Sequence, residues 1–244
     1  MSDRSKGLLV ALALSFAACT TTAAQHNAGL SPAHPLYDIL EQPGQAATFS
    51  PGALLKAPWA FPLTLEHPQK AAENVSNCHQ LLELIEQGYR HQQPSEFGLV
   101  QAYHSICKAT KDSEALQPYR HNHLPQPLFS ESFPVQAPAD FMVAISDSQR
   151  KLAKQSSSWQ AASPIREHRL QSPHEAVYIS EQGAIQHLFL VATGDYNGDQ
   201  VADAIVYMES ALEAGSYATS RYLIITRDGP EAPITVVKSV WPGG

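Results

Sequence analysis

The chain is poor in charge, and poorest in positive charge. Asp, Glu, Lys and Arg make up 16% of its 244 residues, with 16 Lys and Arg against 23 Asp and Glu and a formal net charge of −7 at pH 7. That balance argues against nucleic acid or an anionic lipid surface as partners, because both are bound mainly through Lys and Arg. Long apolar runs are missing after residue 18, so no second stretch reaches membrane-spanning length. There is no Gly-x-Ser-x-Gly elbow, no Gly-rich phosphate loop and no His-Glu-x-x-His pair. The acyl-transfer, nucleotide and zinc-protease chemistries carried by those motifs are therefore unsupported. Cysteine is scarce too: Cys19, Cys78 and Cys107 are the three, an odd number that needs a reason in an exported chain.

The first residues supply the reason. Arg4 and Lys6 precede Gly7–Ala18, an apolar run of twelve residues. It is too short for a membrane span and right for the core of an export signal. Phe16-Ala17-Ala18-Cys19 resembles the bacterial lipobox, with Phe16 where Leu is usual. The resemblance implies removal of a signal peptide, 1–18, and lipidation of Cys19. Thr20, where the inner-membrane retention signal has Asp, implies an outer-membrane anchor facing the periplasm. Cleavage after Ala24, giving a soluble periplasmic or secreted chain, is the alternative. Without residues 1–18 the formal charge is −8, from 22 acidic and 14 basic residues. Lipid on Cys19 leaves one pair, and an oxidising compartment lets a Cys78–Cys107 disulfide form and persist.

Eighteen prolines point to long irregular connections. Residues 19–70, with proline recurring from Pro32 to Pro68, read as an extended lipid-anchored tether. Residues 71–112 read as a helical hairpin. Val75, Cys78, Leu82, Ile85 and Tyr89 follow a 3-4-3-4 spacing, one apolar stripe of a helix. His91-Gln-Gln-Pro94 stops it, and Ser95 offers a cap for a second helix through Tyr103 and Cys107. Cys78 and Cys107 lie equally far from the turn at 92–93, so an antiparallel hairpin sets them face to face. Tyr119-Arg-His-Asn-His123 invites a nuclease or zinc reading, but neither a basic surface nor a third ligand of matching spacing accompanies it. It reads as a solvated loop. His104, one helical turn before Cys107, makes a thiol nucleophile conceivable, but Cys78 is the better partner.

Asp140–Ser146 reads as a strand, Ser148–Gln155 as a short polar helix and Ser156–Ser172 as irregular. From residue 174 the pattern turns to period two, giving strands over 175–180, 187–193, 204–208, 220–226 and 234–240 with turn residues between them. The expected architecture is α+β: an antiparallel meander of five or six strands with the disulfide-linked hairpin packed on one face, residues 113–244 and the hairpin forming one globular domain.

Between two of these strands runs Gly194-Asp-Tyr-Asn-Gly-Asp-Gln-Val-Ala-Asp203. Oxygen-bearing side chains recur at every second residue, which is how a short loop wraps a hard cation. With Asp195 as position 1, the ligand positions of an EF-hand loop fall on Asp195, Asn197, Asp199, the carbonyl of Val201, and Asp203. Gln200 stands where Gly is usual, and Val206 where the bidentate Glu belongs. Flanked by strands rather than helices, the stretch resembles the calcium loop of FG-GAP and VCBS repeats, present here as a single copy. The resemblance implies Ca²⁺ held by those five groups. Glu209 and Glu213 are candidates to complete the shell from outside, and a metal-free hairpin turn is the competing reading, since Asn197-Gly198 is itself a turn signal.

The function expected from the sequence is non-catalytic: a lipid-anchored envelope protein with a structural calcium loop, serving an unknown envelope partner and touching the membrane through its lipid alone. A periplasmic hydrolase or glycan-active enzyme using the Asp cluster, and an inhibitor or immunity-type lipoprotein, are the alternatives.

Overall fold

In the computed structural model, residues 24–42 and 49–241 are described. The stretch read as an export signal, 1–18, and Cys19 lie outside the described residues. The chain enters as the short strand β1 (Gly29–Leu30), followed by a 3-10 turn, Pro35–Ile39. Helix α1 (Pro51–Lys56) starts on Ser50, whose hydroxyl accepts from Ala53 N. Its Pro51 sits in the first turn, where a missing N–H costs nothing. Strands β2 (Leu63–His67) and β3 (Lys70–Val75) form a hairpin, α2 (Cys78–Glu86) follows, and β4 (Arg90–His91) pairs with β2. Asn77 caps α2 by accepting from Gln80 N. Helix α3 (Phe97–Asp112) is the longest helix described; α4 (Phe133–Gln136), α5 (Asp147–Gln155) and α6 (Trp159–Ala162) come after it.

Six strands then run in chain order: β5 (Ile165–Ser172), β6 (Glu175–Ser180), β7 (Ala184–Gly194), β8 (Asp203–Leu212), β9 (Ala218–Thr226) and β10 (Thr235–Val240). Each pairs antiparallel with the next, and β1 adds to β7 beyond the end of β6. The two edges are β5 and β10. Register shifts interrupt β5 near both ends and β10 between Val236 and Lys238.

Side chains alternate across a strand, and here both faces are covered. Leu188, Val206, Met208, Leu223 and Ile225 pack under Phe129, Phe133, Phe141 and Trp159. On the other face Val191, Ile205, Tyr207, Tyr222 and Ile224 meet Leu54, Trp59, Leu81 and Ile106. A register shift between Leu190 and Ala192 lets Val191 and Ala192 join the same core. Between the sheet and the layer of Phe129, Phe133, Phe141 and Trp159, Arg221 is buried and donates to the carbonyl oxygens of Asp140 and Met142. Burial holds its guanidinium down to about 10, and the Trp241 ring stacks over it at 4.1 Å. Gln186 likewise reaches the carbonyl of Phe141. These bonds replace strand pairing as the anchor of segment 139–142.

The architecture is mixed helix and antiparallel sheet, with a Cys78–Cys107 disulfide between α2 and α3. Several expected elements differ. Residues 71–75 are strand rather than helix, and α2 begins at Cys78. Val75 is buried from β3, so the 3-4 stripe crosses an element boundary. The second helix starts from a 3-10 turn at Pro94, with Glu96 accepting from Gln93 N, not from a Ser95 cap. Asp140–Ser146 is not a strand: it begins with a 3-10 turn at Ala139–Phe141 and then runs extended, with Phe141, Met142 and Val143 buried. The sixth strand is β5, inside the stretch read as irregular. Within the stretch read as a tether, Leu36, Leu54, Leu55 and Trp59 are buried. No helix among the described residues is long and apolar enough to cross a membrane.

His34 is buried on the α3 side of the sheet, its Nδ1 accepting from Leu36 N at 3.2 Å and its Nε2 3.1 Å from the Thr110 hydroxyl. Burial holds its imidazole down to about 3, well below the ordinary value near 6.5. Between those values the unfolded chain binds a proton that the folded chain refuses. The stabilisation is complete above about pH 6.5 and falls with pH, by up to about 1.4 kcal/mol per unit, until about pH 3. Urea unfolding from pH 4 to 7 should show a pH slope that is shallower in His34→Gln; equal slopes would remove His34 as the cause. Replacing both Cys78 and Cys107 with Ala opens a loop of sequence separation 29 and should lower unfolding free energy by about 3–4 kcal/mol. The same urea series reads it.

Candidate metal centre

Strand β7 ends at Gly194 and β8 begins at Asp203, which pair with each other. The eight residues between them are folded by their own carboxylates. Asp195 Oδ1 accepts from Gly198 N at 2.6 Å and Asp199 N at 3.2 Å, and its Oδ2 from Gln200 N at 2.8 Å. Asn197 Oδ1 accepts from Asp199 N, and Asp199 Oδ1 from Val201 N. Asn197 Nδ2 donates to Asp199 Oδ2 at 2.9 Å. These are the Asx turns that Asp and Asn make readily.

A second segment braces the loop from outside. Gln117 and Asp195 exchange backbone bonds, both 2.8 Å. The Gln200 carbonyl accepts from Arg120 N and His121 N, and Ala202 N donates to the His121 carbonyl. Gly194 is required for this close approach: a Cβ there would stand 2.7 Å from the Cβ atoms of both Ala28 and Leu116. Gln200 holds φ 68°, and no other non-glycine residue among those described has positive φ. The position where glycine is usual thus keeps the left-handed backbone without glycine. A non-glycine residue in this region costs about 1–2 kcal/mol, which the bracing bonds offset.

Asp203 is the least satisfied member. It is fully buried, with 0% exposure. Its Oδ2 accepts from Tyr196 N at 2.7 Å, while its Oδ1 has no partner. Burial pushes its carboxyl above the usual range, and the charges of Asp199 and Asp195 add to the shift. The Thr226 hydroxyl is near enough to favour the charged form, yet no hydrogen bond of ordinary geometry joins them: both Asp203 Oδ1 and Thr226 Oγ1 are buried without a partner. Among the described residues no Lys, Arg or His forms an ion pair with Asp195, Asp199 or Asp203.

The structure therefore brings Asp195, Asn197, Asp199, Val201 and Asp203 into one loop but does not converge their side chains on a point. Among the described residues no group of three His, Cys, Asp or Glu is placed to hold a metal ion. Asp195 and Asp199 are turned onto loop N–H groups; a carboxylate has about four acceptor positions, so both keep capacity, and Asp203 keeps most. The donor chemistry fits a hard cation, and the backbone path at Gln200 fits too. Glu209 and Glu213 do not extend the set. Glu209 lies six residues along β8 from Asp203, about 20 Å at strand rise, and accepts from the Tyr207 hydroxyl at 3.0 Å. Glu213 pairs with Arg166.

The other candidates resolve simply. Cys107 is bonded to Cys78 and offers no thiol beside His104. In the His121-Asn-His123 segment, the backbone of His121 braces the loop and the two imidazoles stack at 6.1 Å. Sequence reading missed this brace because backbone pairing leaves no side-chain signature. It also missed Tyr196, whose hydroxyl lies 3.4 Å from Lys238 Nζ; Lys238 in turn pairs with Asp112 at 2.6 Å. No known protein family, no curated protein and no solved structure is matched by this chain.

Relief of the left-handed strain is measurable. Gln200→Gly should raise unfolding free energy in urea by about 0.5–1 kcal/mol. An unchanged or lower value would mean that position 200 carries no such strain.

Proposed function

We propose that the chain is a non-catalytic, lipid-anchored envelope protein whose Asp195–Asp203 loop takes up one Ca²⁺ as a structural clamp. The observation that carries this reading is the Asp203 carboxylate, fully buried, with one oxygen lacking any partner and two further carboxylates beside it. Burying a charge without a counter-ion is costly, and a divalent cation supplies the missing charge. Asp195, Asn197, Asp199, Asp203 and the carbonyl of Val201 are all oxygen donors, the set that calcium prefers. When bound, the ion would neutralise the three carboxylates and fix the β7–β8 connection against segment 117–121.

Lipid on Cys19 would place the body at a membrane surface in a compartment where calcium is accessible. There the disulfide-linked helices α2 and α3, packed on the sheet, would form one rigid body available to a second envelope protein. The loop carboxylates are held by loop N–H groups, and among the described residues no Lys, Arg or His is ion-paired with them, which favours a structural role for them over a catalytic one.

External calcium modules of this kind bind at about 0.1–1 mM. At 5 mM Ca²⁺ and a Kd near 0.1 mM, binding adds about 2 kcal/mol to the folded state, or about 4–8 °C in Tm for a chain of this size. Thermal unfolding of the disulfide-intact chain should show that rise over chelator, and Asp199→Ala should abolish it. No shift in the parent chain, or the same shift in Asp199→Ala, overturns the proposal.

A further inference from the structure

Away from the calcium loop, the sheet and α3 do not close on each other. Near the β8–β9 hairpin end of the sheet a cleft of about 300 Å³ separates the first turns of α3 from β7, β8 and β9. It exists because both walls carry small residues. Gly98 and Ala102, one turn apart on α3, face Ala211 and Ala218 across it. Protein interiors are normally packed without such gaps, and a cavity of this size reaches the lower end of the range for small-molecule sites.

The cleft's polar lining residues are His187, Glu209, Ser210, Thr219 and Ser220, and Glu209 is the one carboxylate among them. Glu209 lies opposite His187 on β7 and Ser220 on β9. His187 Nε2 is already held by Glu175 Oε1 at 2.7 Å. Glu209 receives the Tyr207 hydroxyl at 3.0 Å and has no cationic partner among the described residues. No Lys or Arg lines the cleft. Glu209 and Ala102 also border a second hollow of about 160 Å³, walled by Leu36, Ile39 and Leu99. A carboxylate thus sits between two apolar hollows.

We infer that this cleft binds a small organic cation: an ammonium group set on the Glu209 carboxylate, with an apolar body of a few carbons lying between α3 and the sheet. The charge decides the class. An anionic ligand would meet Glu209 with Glu175 close behind. A neutral one would desolvate Glu209 without replacing its water, a cost that a charged partner avoids. An ammonium instead gains a charge-assisted hydrogen bond, about twice as strong as a neutral one. The apolar walls hold the remaining carbons.

The test uses the full disulfide-intact chain and three probes of equal length: n-hexylammonium, hexanol and hexanoate, titrated by calorimetry or by NMR shifts. Hexylammonium is expected to bind saturably, at least tenfold tighter than hexanol, with no binding of hexanoate. Glu209→Gln should erase that tenfold advantage with Tm unchanged, whereas Glu213→Gln, an equal loss of charge outside the cleft, should leave it. Ala218→Leu, which fills the cleft, should weaken hexylammonium and hexanol alike. Three results overturn the inference: no saturable binding of hexylammonium, hexanol binding as tightly as hexylammonium, or Glu209→Gln binding like the parent. Glu209→Gln is an exposed, isosteric change, so the outcome does not rest on Ala218→Leu folding.

Discussion

Burial of the central strands on both faces is the constraint on which the rest of this molecule depends. Every residue of β8 from Asp203 to Met208 is buried, and so is every residue of β9 from Ser220 to Thr226. Such strands cannot face water on either side and need two covers. The chain before the sheet supplies both. Residues 28–116 bring one apolar layer with α3 at its centre, and residues 124–162 bring the other, with Phe133, Phe141 and Trp159 in edge and stacked contacts. The disulfide staples the first cover; Arg221 and Gln186 hold the second by its carbonyls. Much of the irregular, proline-rich sequence is therefore lid rather than linker.

This explains what could be read from the sequence. The C-terminal meander was legible because its strands are long, apolar and separated by glycine turns, and its neighbours in sequence are neighbours in space. Its alternation is weaker than period two, because two-sided burial makes Ala204–Met208 a continuous apolar run. The Cys78–Cys107 bridge was legible from the count and spacing of the cysteines. What failed has local causes. β5 presents Arg166, Glu167 and Arg169 to solvent at an edge, so its pattern resembles a polar loop. Asp140–Ser146 is apolar because it lies beneath the sheet, and burial alone does not distinguish a strand from a pinned loop. Val75 fits a helical stripe from a strand because the turn to Cys78 preserves the side it faces.

At the loop, spacing located the oxygens but not their partners. Asp195, Asn197 and Asp199 were legible as a set at every second residue. Gln200 looked like a departure from the glycine pattern, yet it keeps the left-handed backbone, because Gly198 relaxes the turn before it and Arg120 and His121 hold its carbonyl after it. The cleft beside Glu209 left no trace in the sequence. Its residues come from one helix and three strands, and its defining property is the smallness of side chains that only the fold sets opposite one another.

The two edges of the sheet have a consequence for assembly. An open strand edge offers a row of unpaired backbone groups to any passing chain, and natural sheets guard such edges with charge and irregularity. Here β5 carries an Arg-Glu-His-Arg run with register shifts near both ends, and β10 has a shift beside Lys238, which turns inward to Asp112. Growth by strand addition is thereby discouraged on both sides. Copies of such a chain can be crowded together and still meet as separate molecules, because their sheet rims are built not to zip to one another.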